Sequence, residues 1–367
     1  MSKKKIYVIA GEASGDLHGA NLIKELQKKG DYELLGMGGN LMQEAGVKIL
    51  HDYRDVNYMG FIDVIKHLRS ILKKIKQVKN EIATVQPAVV LLIDYPGFNL
   101  RIAGFCKKIG IPVVYYISPK VWAWKQSRVK QIATNVTQMI TILPFEKEFY
   151  QRFGVPVHYV GHPLIDALKT YPYNQDFIEE LKKKAGDKKI IALLPGSRRS
   201  EITAKLPVML ELANKHAGQY YFVVAGAPGA SKELYTYVNC DIYFGETYNI
   251  LKAADAALVT SGTATLETAL HLVPQVVCYK TSEFNYQAGK RLIKVAYISL
   301  VNLILNKPAV VELIQRDLNT DRLEKEFNWM VGEGRETILA DYKKLITLLA
   351  DEGASERAAD IVKNSMV

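Results

Sequence analysis

Ala88-Val89-Val90-Leu91-Leu92-Ile93-Asp94 is an unbroken apolar run that stops on a carboxylate. A strand with one wet face alternates apolar and polar residues. A run without a polar break buries both faces, as in a parallel sheet covered by helices on either side. Runs of the same kind stand at Ile6–Ala10, Val113–Ile117, Met139–Leu143 and Val157–Val160, with helical stretches such as Asn21–Lys29 and Phe61–Asn80 between them. Strands and helices in this alternation predict a doubly wound α/β domain.

The pattern then restarts. After Gly161-His162-Pro163, a polar stretch through Tyr171-Pro172-Tyr173-Asn174 and the lysine-rich Leu181–Lys189 carries no strand signal. Ile190–Leu194 opens a second series, continued by Tyr221–Ala225, Ala256–Thr260 and Gln275–Tyr279, and the tail beyond Glu336 reads as helical. A chain of 367 residues with 49% apolar content can fill two cores, so two α/β halves joined by one linker are predicted.

Composition limits the partners. The net charge of +10 leaves nucleic acid, an anionic membrane surface or a polyanionic substrate open. Cys106, Cys240 and Cys278 are widely spaced, with neither a CxxC pair nor a Cys/His cluster, which supports no disulfide framework and no zinc site and suits a reducing compartment. Lys3-Lys4-Lys5 followed by Ile6–Ala10 has the outline of a signal peptide, but Gly11-Glu12 ends the apolar run too early. No segment approaches the roughly 20 apolar residues of a membrane span, so contact with a membrane would be peripheral.

Ligands of open α/β sheets bind beyond the carboxyl ends of the strands, and four loops there carry unusual chemistry. Gly11-Glu12-Ala13-Ser14-Gly15-Asp16-Leu17-His18-Gly19 would let backbone N–H groups approach an anion, or be a tight turn with Ser14 or Asp16 capping the helix. It is not GxGxxG, and no acidic residue ends Leu34-Leu35-Gly36, which weighs against a nicotinamide cofactor. Asp94, in Asp94-Tyr95-Pro96-Gly97-Phe98-Asn99, is either a turn-initiating residue or a partly desolvated general base. Ser118-Pro119-Lys120-Val121-Trp122-Ala123-Trp124-Lys125 sets aromatic faces beside cations, suited to sugar rings or acyl chains, or to packing between domains. Finally, Gly196-Ser197-Arg198 and Ser261-Gly262-Thr263-Ala264-Thr265-Leu266-Glu267 both follow strands and lead into helices. Both offer N–H and hydroxyl donors to phosphate, Arg198 a bidentate cation, and Glu267 an acceptor for ribose hydroxyls. Helix capping by Ser261 or Thr263 competes with that role.

These strings, together with Leu143-Pro144-Phe145-Glu146, Gly161-His162-Pro163 and Leu194-Pro195-Gly196-Ser197-Arg198, resemble the lipid-A-disaccharide synthase family, in family order from Gly11 to about Glu312. The resemblance implies a GT-B architecture, two Rossmann-like doubly wound domains facing across a cleft. Residues 1–168 would form the acceptor and lipid side, 169–335 the UDP-donor side, and helices in 336–367 would return to the first domain. It implies inverting transfer of 2,3-diacylglucosamine from UDP-2,3-diacylglucosamine to the 6-hydroxyl of 2,3-diacylglucosamine 1-phosphate, releasing UDP, with no metal or organic cofactor. By position, Asp94 resembles the candidate base and Arg198 the diphosphate-binding arginine. Ser261, Gly262, Thr263 and Glu267 resemble the nucleotide end, with Ser14, Gly15, Asp16, Gly196 and Ser197 on the same donor side. Where the family often carries a second acid three positions beyond Asp94, this chain has Gly97.

Phe61–Asn80 carries an apolar stripe (Phe61, Val64, Ile65, Leu68, Ile71, Leu72, Ile75, Val78) interleaved with lysines. It reads as a surface helix packed on the sheet, or as an interfacial helix or acyl groove at an anionic bilayer. Met59, Asn99, Ser118, Trp122, Trp124, Lys290 and Arg291 are the expected acceptor or lipid contacts. The expected location is cytoplasmic, on the inner-membrane surface, with oligomeric state open and a homodimer among the options. A UDP-sugar epimerase on the same frame is the main rival. A nicotinamide oxidoreductase and an RNA-binding module are disfavoured by the absent fingerprint and by the dispersed charge.

Overall fold

The computed structural model describes residues 3–55, 67–123, 126–292, 295–349 and 352–366. They form two compact units, Met1–Lys169 with Leu349–Val367, and Thr170–Leu348. The first unit is a seven-stranded parallel sheet of β1 (Lys4–Ala10), β2 (Tyr32–Gly38), β3 (Lys48–Asp52), β4 (Val89–Ile93), β5 (Val113–Tyr116), β6 (Gln138–Thr141) and β7 (Val157–Tyr159), in the order β3-β2-β1-β4-β5-β6-β7. The opening apolar run is its central strand, paired to β1 with Val8 opposite Leu91.

Alternate residues of these strands feed two cores, as the period of two requires. Tyr7, Ile9, Val90 and Leu92 pack with Ile71, Ile75, Val78 and Ile82 of helix Leu68–Val85. Ile6, Val8, Leu91 and Ile93 pack with Leu22 and Ile23 of helix Ala13–Gln27 and with Ala358 and Val362 of helix Ala354–Asn364. Each fully buried aliphatic side chain contributes about 1.5–3 kcal/mol. The late helix is also tied by polar contacts. Asp166 accepts from the backbone N–H of Gly353 at 2.7 Å and of Ser355 at 3.2 Å, and Arg357 Nε donates to the Val160 carbonyl at 2.9 Å.

The second unit holds a six-stranded sheet of β8 (Lys189–Leu194), β9 (Tyr220–Gly226), β10 (Asp241–Phe244), β11 (Ala256–Thr260), β12 (Gln275–Tyr279) and β13 (Val311–Ile314), ordered β10-β9-β8-β11-β12-β13. Helix Arg335–Leu348, which the sequence reading grouped with the returning tail, belongs to this unit. The physical reason is local. Ile338, Tyr342 and Leu345 form its buried stripe, Gln275 Nε2 donates to the Tyr342 hydroxyl at 3.0 Å, and buried Asp341 pairs with Lys307 at 2.7 Å.

Each sheet reverses its strand order once, between β1 and β4 and between β8 and β11. The crevice outside the carboxyl ends of such a strand pair is the usual ligand position. Among the described residues, no helix is long and apolar enough to cross a membrane.

Candidate active site

At the β1/β4 switch point the glycine-rich loop is shorter than the sequence suggests. Helix Ala13–Gln27 begins at once, leaving Gly11 and Glu12 as the turn. Gly15 and Gly19 serve close packing: a Cβ on Gly19 would lie 2.8 Å from Cδ1 of Ile93. Asp16 is engaged within the fold. Its buried carboxylate accepts from the N–H groups of Gly39 (2.7 Å), Leu41 (3.1 Å) and Met42 (3.2 Å), anchoring the start of the neighbouring helix Asn40–Glu44. Ser14 is exposed in the first turn.

Across the switch point, Asp94 and Tyr95 take left-handed backbone angles, φ 43° and 48°, and Ile117 at the end of β5 does the same at 63°. Non-glycine residues held there cost roughly 1–3 kcal/mol each and gather at functional sites. Asn99 pins the turn, its Nδ2 donating to the carbonyls of Ile93 (3.2 Å) and Asp94 (2.8 Å), and the Tyr115 hydroxyl also donates to the Asp94 carbonyl. Asn99 therefore positions Asp94 from below. Burial, reinforced by the Glu12 carboxylate and opposed by the Lys120 ammonium, pushes the Asp94 carboxyl up to about 6. His18 and His162, nearby, are driven the other way by burial, to about 4 and about 3, and stay neutral at neutral pH.

The loop that carries Lys120, after β5, is anchored by a buried carboxylate. Glu146 Oε1 accepts from Ser118 Oγ at 2.7 Å and Trp122 Nε1 at 2.9 Å, and Oε2 from the Leu143 N–H at 3.2 Å. The Trp122 ring meets Phe145 edge-on at 4.9 Å. The polar atoms of Ser118 and Trp122 thus turn inward as the loop's anchors.

At the β8/β11 switch point, Gly196 sits at φ 123°, where a Cβ would fall 2.5 Å from Oε2 of Glu201. That oxygen accepts from the N–H groups of Ser197 (3.1 Å) and Arg198 (3.4 Å), and Arg198 Nη1 binds Oε1 at 3.1 Å. A glutamate carboxylate therefore occupies the donors expected for phosphate. Opposite, Gly262 is the N-cap of helix Thr263–Leu270 with no side-chain cap bond, and Ser261 Oγ donates to the Ile298 carbonyl at 2.9 Å. No side chain caps this helix, and although the Thr265 N–H is spent on the Gly262 carbonyl at 3.1 Å, those of Thr263 and Ala264 are not taken by a cap. Glu267 lies one turn further, with Oε1 accepting from the Tyr248 hydroxyl at 2.9 Å.

The sequence profile described as lipid-A-disaccharide synthetase matches residues 6–364. The chain belongs to the lipid-A-disaccharide synthase family. A lipid-A-disaccharide synthase of Syntrophus aciditrophicus (strain SB) is 40% identical over 372 residues, covering 98% of this chain and 97% of that one. Solved structures agree on the fold alone. The calicheamicin glycosyltransferase CalG4 matches with TM-score 0.63 at 14% identity, covering 100% of this chain and 98% of that one. A UDP-GlcNAc 2-epimerase from Neisseria meningitidis bound to UDP-GlcNAc matches with TM-score 0.64 at 14% identity, covering 98% and 99%. Transferases and epimerases thus share this GT-B frame, and the family match over nearly the whole chain favours the glycosyltransferase over the epimerase.

Within the lipid-A-disaccharide synthase frame, Asp94 lies in the field of Glu12 and Lys120, and Arg198 pairs with Glu201. Lys290 and Arg291 stand exposed near the end of helix Glu283–Leu292 in the second unit. Met59 and Trp124 lie outside the described residues. Among the described residues, no cluster of three or more His, Cys, Asp or Glu could hold a metal. Sequence reasoning gave no role to Glu12, Lys120, Glu146 or Glu201. Each stands within four residues of a strand-end glycine, proline or serine, the one signal that marked its position.

Proposed function

We propose that this chain transfers 2,3-diacylglucosamine from UDP-2,3-diacylglucosamine to the 6-hydroxyl of 2,3-diacylglucosamine 1-phosphate, with Asp94 as general base. The observation that carries this reading is the strained, partly desolvated Asp94 at a sheet switch point, beside Lys120. A carboxyl near 6 is ionised at neutral pH yet more basic than a solvated aspartate, which suits removal of a hydroxyl proton. As that proton moves to Asp94, the acceptor oxygen bonds to the anomeric carbon and the bond from that carbon to the diphosphate breaks on the opposite face, inverting the linkage. Charge growing on UDP is met by Arg198 and the first-turn N–H groups of helix Thr263–Leu270, while Glu267 receives ribose hydroxyls. The base and the cation are each worth about 2–4 kcal/mol of barrier. The first unit would then serve the acceptor and the second the donor.

The lipid side of this reading rests on a groove. Two cavities of about 440 and 570 Å³ share Leu100, Arg101 and Gln131, beginning at Tyr95-Pro96-Gly97 and running between helices Leu68–Val85, Pro96–Lys108 and Arg128–Asn135. Leu68 and Leu72 remain exposed beside it, and its rim carries Lys76, Lys79, Arg101 and Lys108, with no acid among the described residues that line it. An apolar floor with a cationic rim suits acyl chains under a phosphate, and a peripheral position on the anionic inner-membrane surface of the cytoplasm follows. Such binding is salt-sensitive: anionic vesicles should retain the protein at low salt and release it at high salt, whereas equal retention by neutral vesicles argues against it.

The deciding assay supplies both lipids in detergent to wild type, Asp94→Asn and Arg198→Ala. Disaccharide from wild type and little from either folded variant supports the assignment. Turnover of UDP-GlcNAc without acceptor, and no disaccharide, returns the epimerase.

A further inference from the structure

Helix Arg199–His216 carries one charged line that the reaction scheme leaves partly unused. Arg198, Glu201 and Lys205 follow one another at spacings of three and four, so they share a face. The line runs from solvent to interior: the Arg198 side chain is 54% exposed and that of Glu201 23%, while Lys205 is 2% exposed. The ammonium of Lys205 donates to the hydroxyl of Thr260, the last residue of β11, immediately before Ser261-Gly262.

Among the described residues, nothing around that ammonium supplies a full counter-charge. The thiol of Cys278 faces it from β12, but burial pushes that thiol up to about 12 and it stays neutral. Glu201 acts on it through space, yet both Glu201 oxygens are bound by Arg198 and the Ser197 and Arg198 N–H groups. No carboxylate lies within ion-pairing distance of it among the described residues. A buried charge without a partner is expensive and is more often replaced by an apolar side chain.

We propose that Lys205 is an internal second cation for the donor's diphosphate, left without a carboxylate so that the bound anion completes its neutralisation. The inference rests on the nucleotide site proposed above, and places the lysine beneath the two loops that would hold UDP. Arg198 then meets the anion from the solvent side and Lys205 from below, and the uncompensated charge is tolerated because the ligand relieves it.

The experiment titrates the full chain with UDP and with uridine, for wild type, Lys205→Met and Arg198→Ala, and records each protein's thermal midpoint. Lys205→Met is expected to weaken UDP about tenfold, to leave uridine unchanged, and to raise the midpoint because a buried unpaired charge has gone. Undiminished UDP affinity in Lys205→Met overturns the inference, as does equal loss of UDP and uridine with a lowered midpoint, which marks a packing role. Absence of UDP binding to wild type would instead remove the nucleotide reading itself. Should Lys205→Met not fold, Lys205→Gln keeps a donor for Thr260 without the charge, and the same comparison decides.

Discussion

A Cβ built on Gly11 falls 2.1 Å from Cδ1 and 2.2 Å from Cγ of Tyr95. The ring root of one switch-point loop therefore occupies the space a side chain would need on the other, and the two loops that frame Asp94 are keyed together. Because Cγ is involved, a ring flip about χ2 brings no relief, and the whole ring must leave its χ1 rotamer. Gly11→Ala should cost about 1–3 kcal/mol in denaturant unfolding and lower kcat through displacement of Asp94. Gly97→Ala is the matched control: among the described residues nothing lies within 4 Å of its added methyl, and stability should hold.

Asp94→Asn should separate chemistry from folding. Asparagine tolerates the left-handed angle, so the turn persists. Its carboxyl is raised in the folded protein to about 6, so ionisation at neutral pH opposes folding. Removing the charge should raise stability on the order of 1–2 kcal/mol while kcat falls about 10²–10⁴-fold. In wild type the acid limb of kcat/KM should bend near pH 6; an unchanged limb in the variant would assign it to another group.

Glu146 gives a distinct signature. Its buried carboxyl is pushed up to about 7 by desolvation, outweighing the bonds from Ser118, Trp122 and Leu143. A carboxyl raised on folding binds more protons in the native state, so its favourable contribution is full below the ordinary value near 4.5 and fades as pH climbs through about 7. The thermal midpoint of wild type should accordingly drop between pH 5 and pH 7.5 more steeply than that of Asp94→Asn/Glu146→Gln. Glu146→Ala orphans three donors and should cost roughly 3–5 kcal/mol.

Arg198→Ala removes a half-exposed side chain that pairs with Glu201, itself partly exposed. Unfolding free energy should change by no more than about 0.5 kcal/mol, whereas UDP affinity and kcat both fall. Glu201→Gln tests the converse, since the wild-type carboxylate sits on the Ser197 and Arg198 N–H groups. If that carboxylate competes with phosphate, the amide variant binds UDP more tightly; weaker binding would mean it only shapes the loop.

The central strands were legible because burial of both faces writes itself as an unbroken apolar run, as in Val89–Ile93. Three of the four edge strands were not, β7 being the exception: β3, β10 and β13 are largely half-exposed, and Lys48-Ile49-Leu50-His51-Asp52 carries no such run. At the site, Asp94 and Arg198 were readable as charges where strands end. The roles of Asp16 and Asn99 were not, because a carboxylate offered to a ligand and one spent on Gly39 and Met42 look alike until the chain is folded. Glu146 was hidden for the same reason, its partners Ser118 and Trp122 lying more than twenty residues away.

Helix Ala354–Asn364 lies against helix Ala13–Gln27 in the first unit, though the whole of Thr170–Leu348 is threaded between them. During synthesis the first unit therefore emerges without Ala354, Ala358, Ala359 and Val362, which complete the core on that face of the sheet, and the second unit, contiguous in the chain, can close first. The half of the protein that leaves the ribosome earliest is completed last. A message truncated before codon 354 should yield a sound second unit joined to a first unit that chaperones and proteases recognise as unfinished.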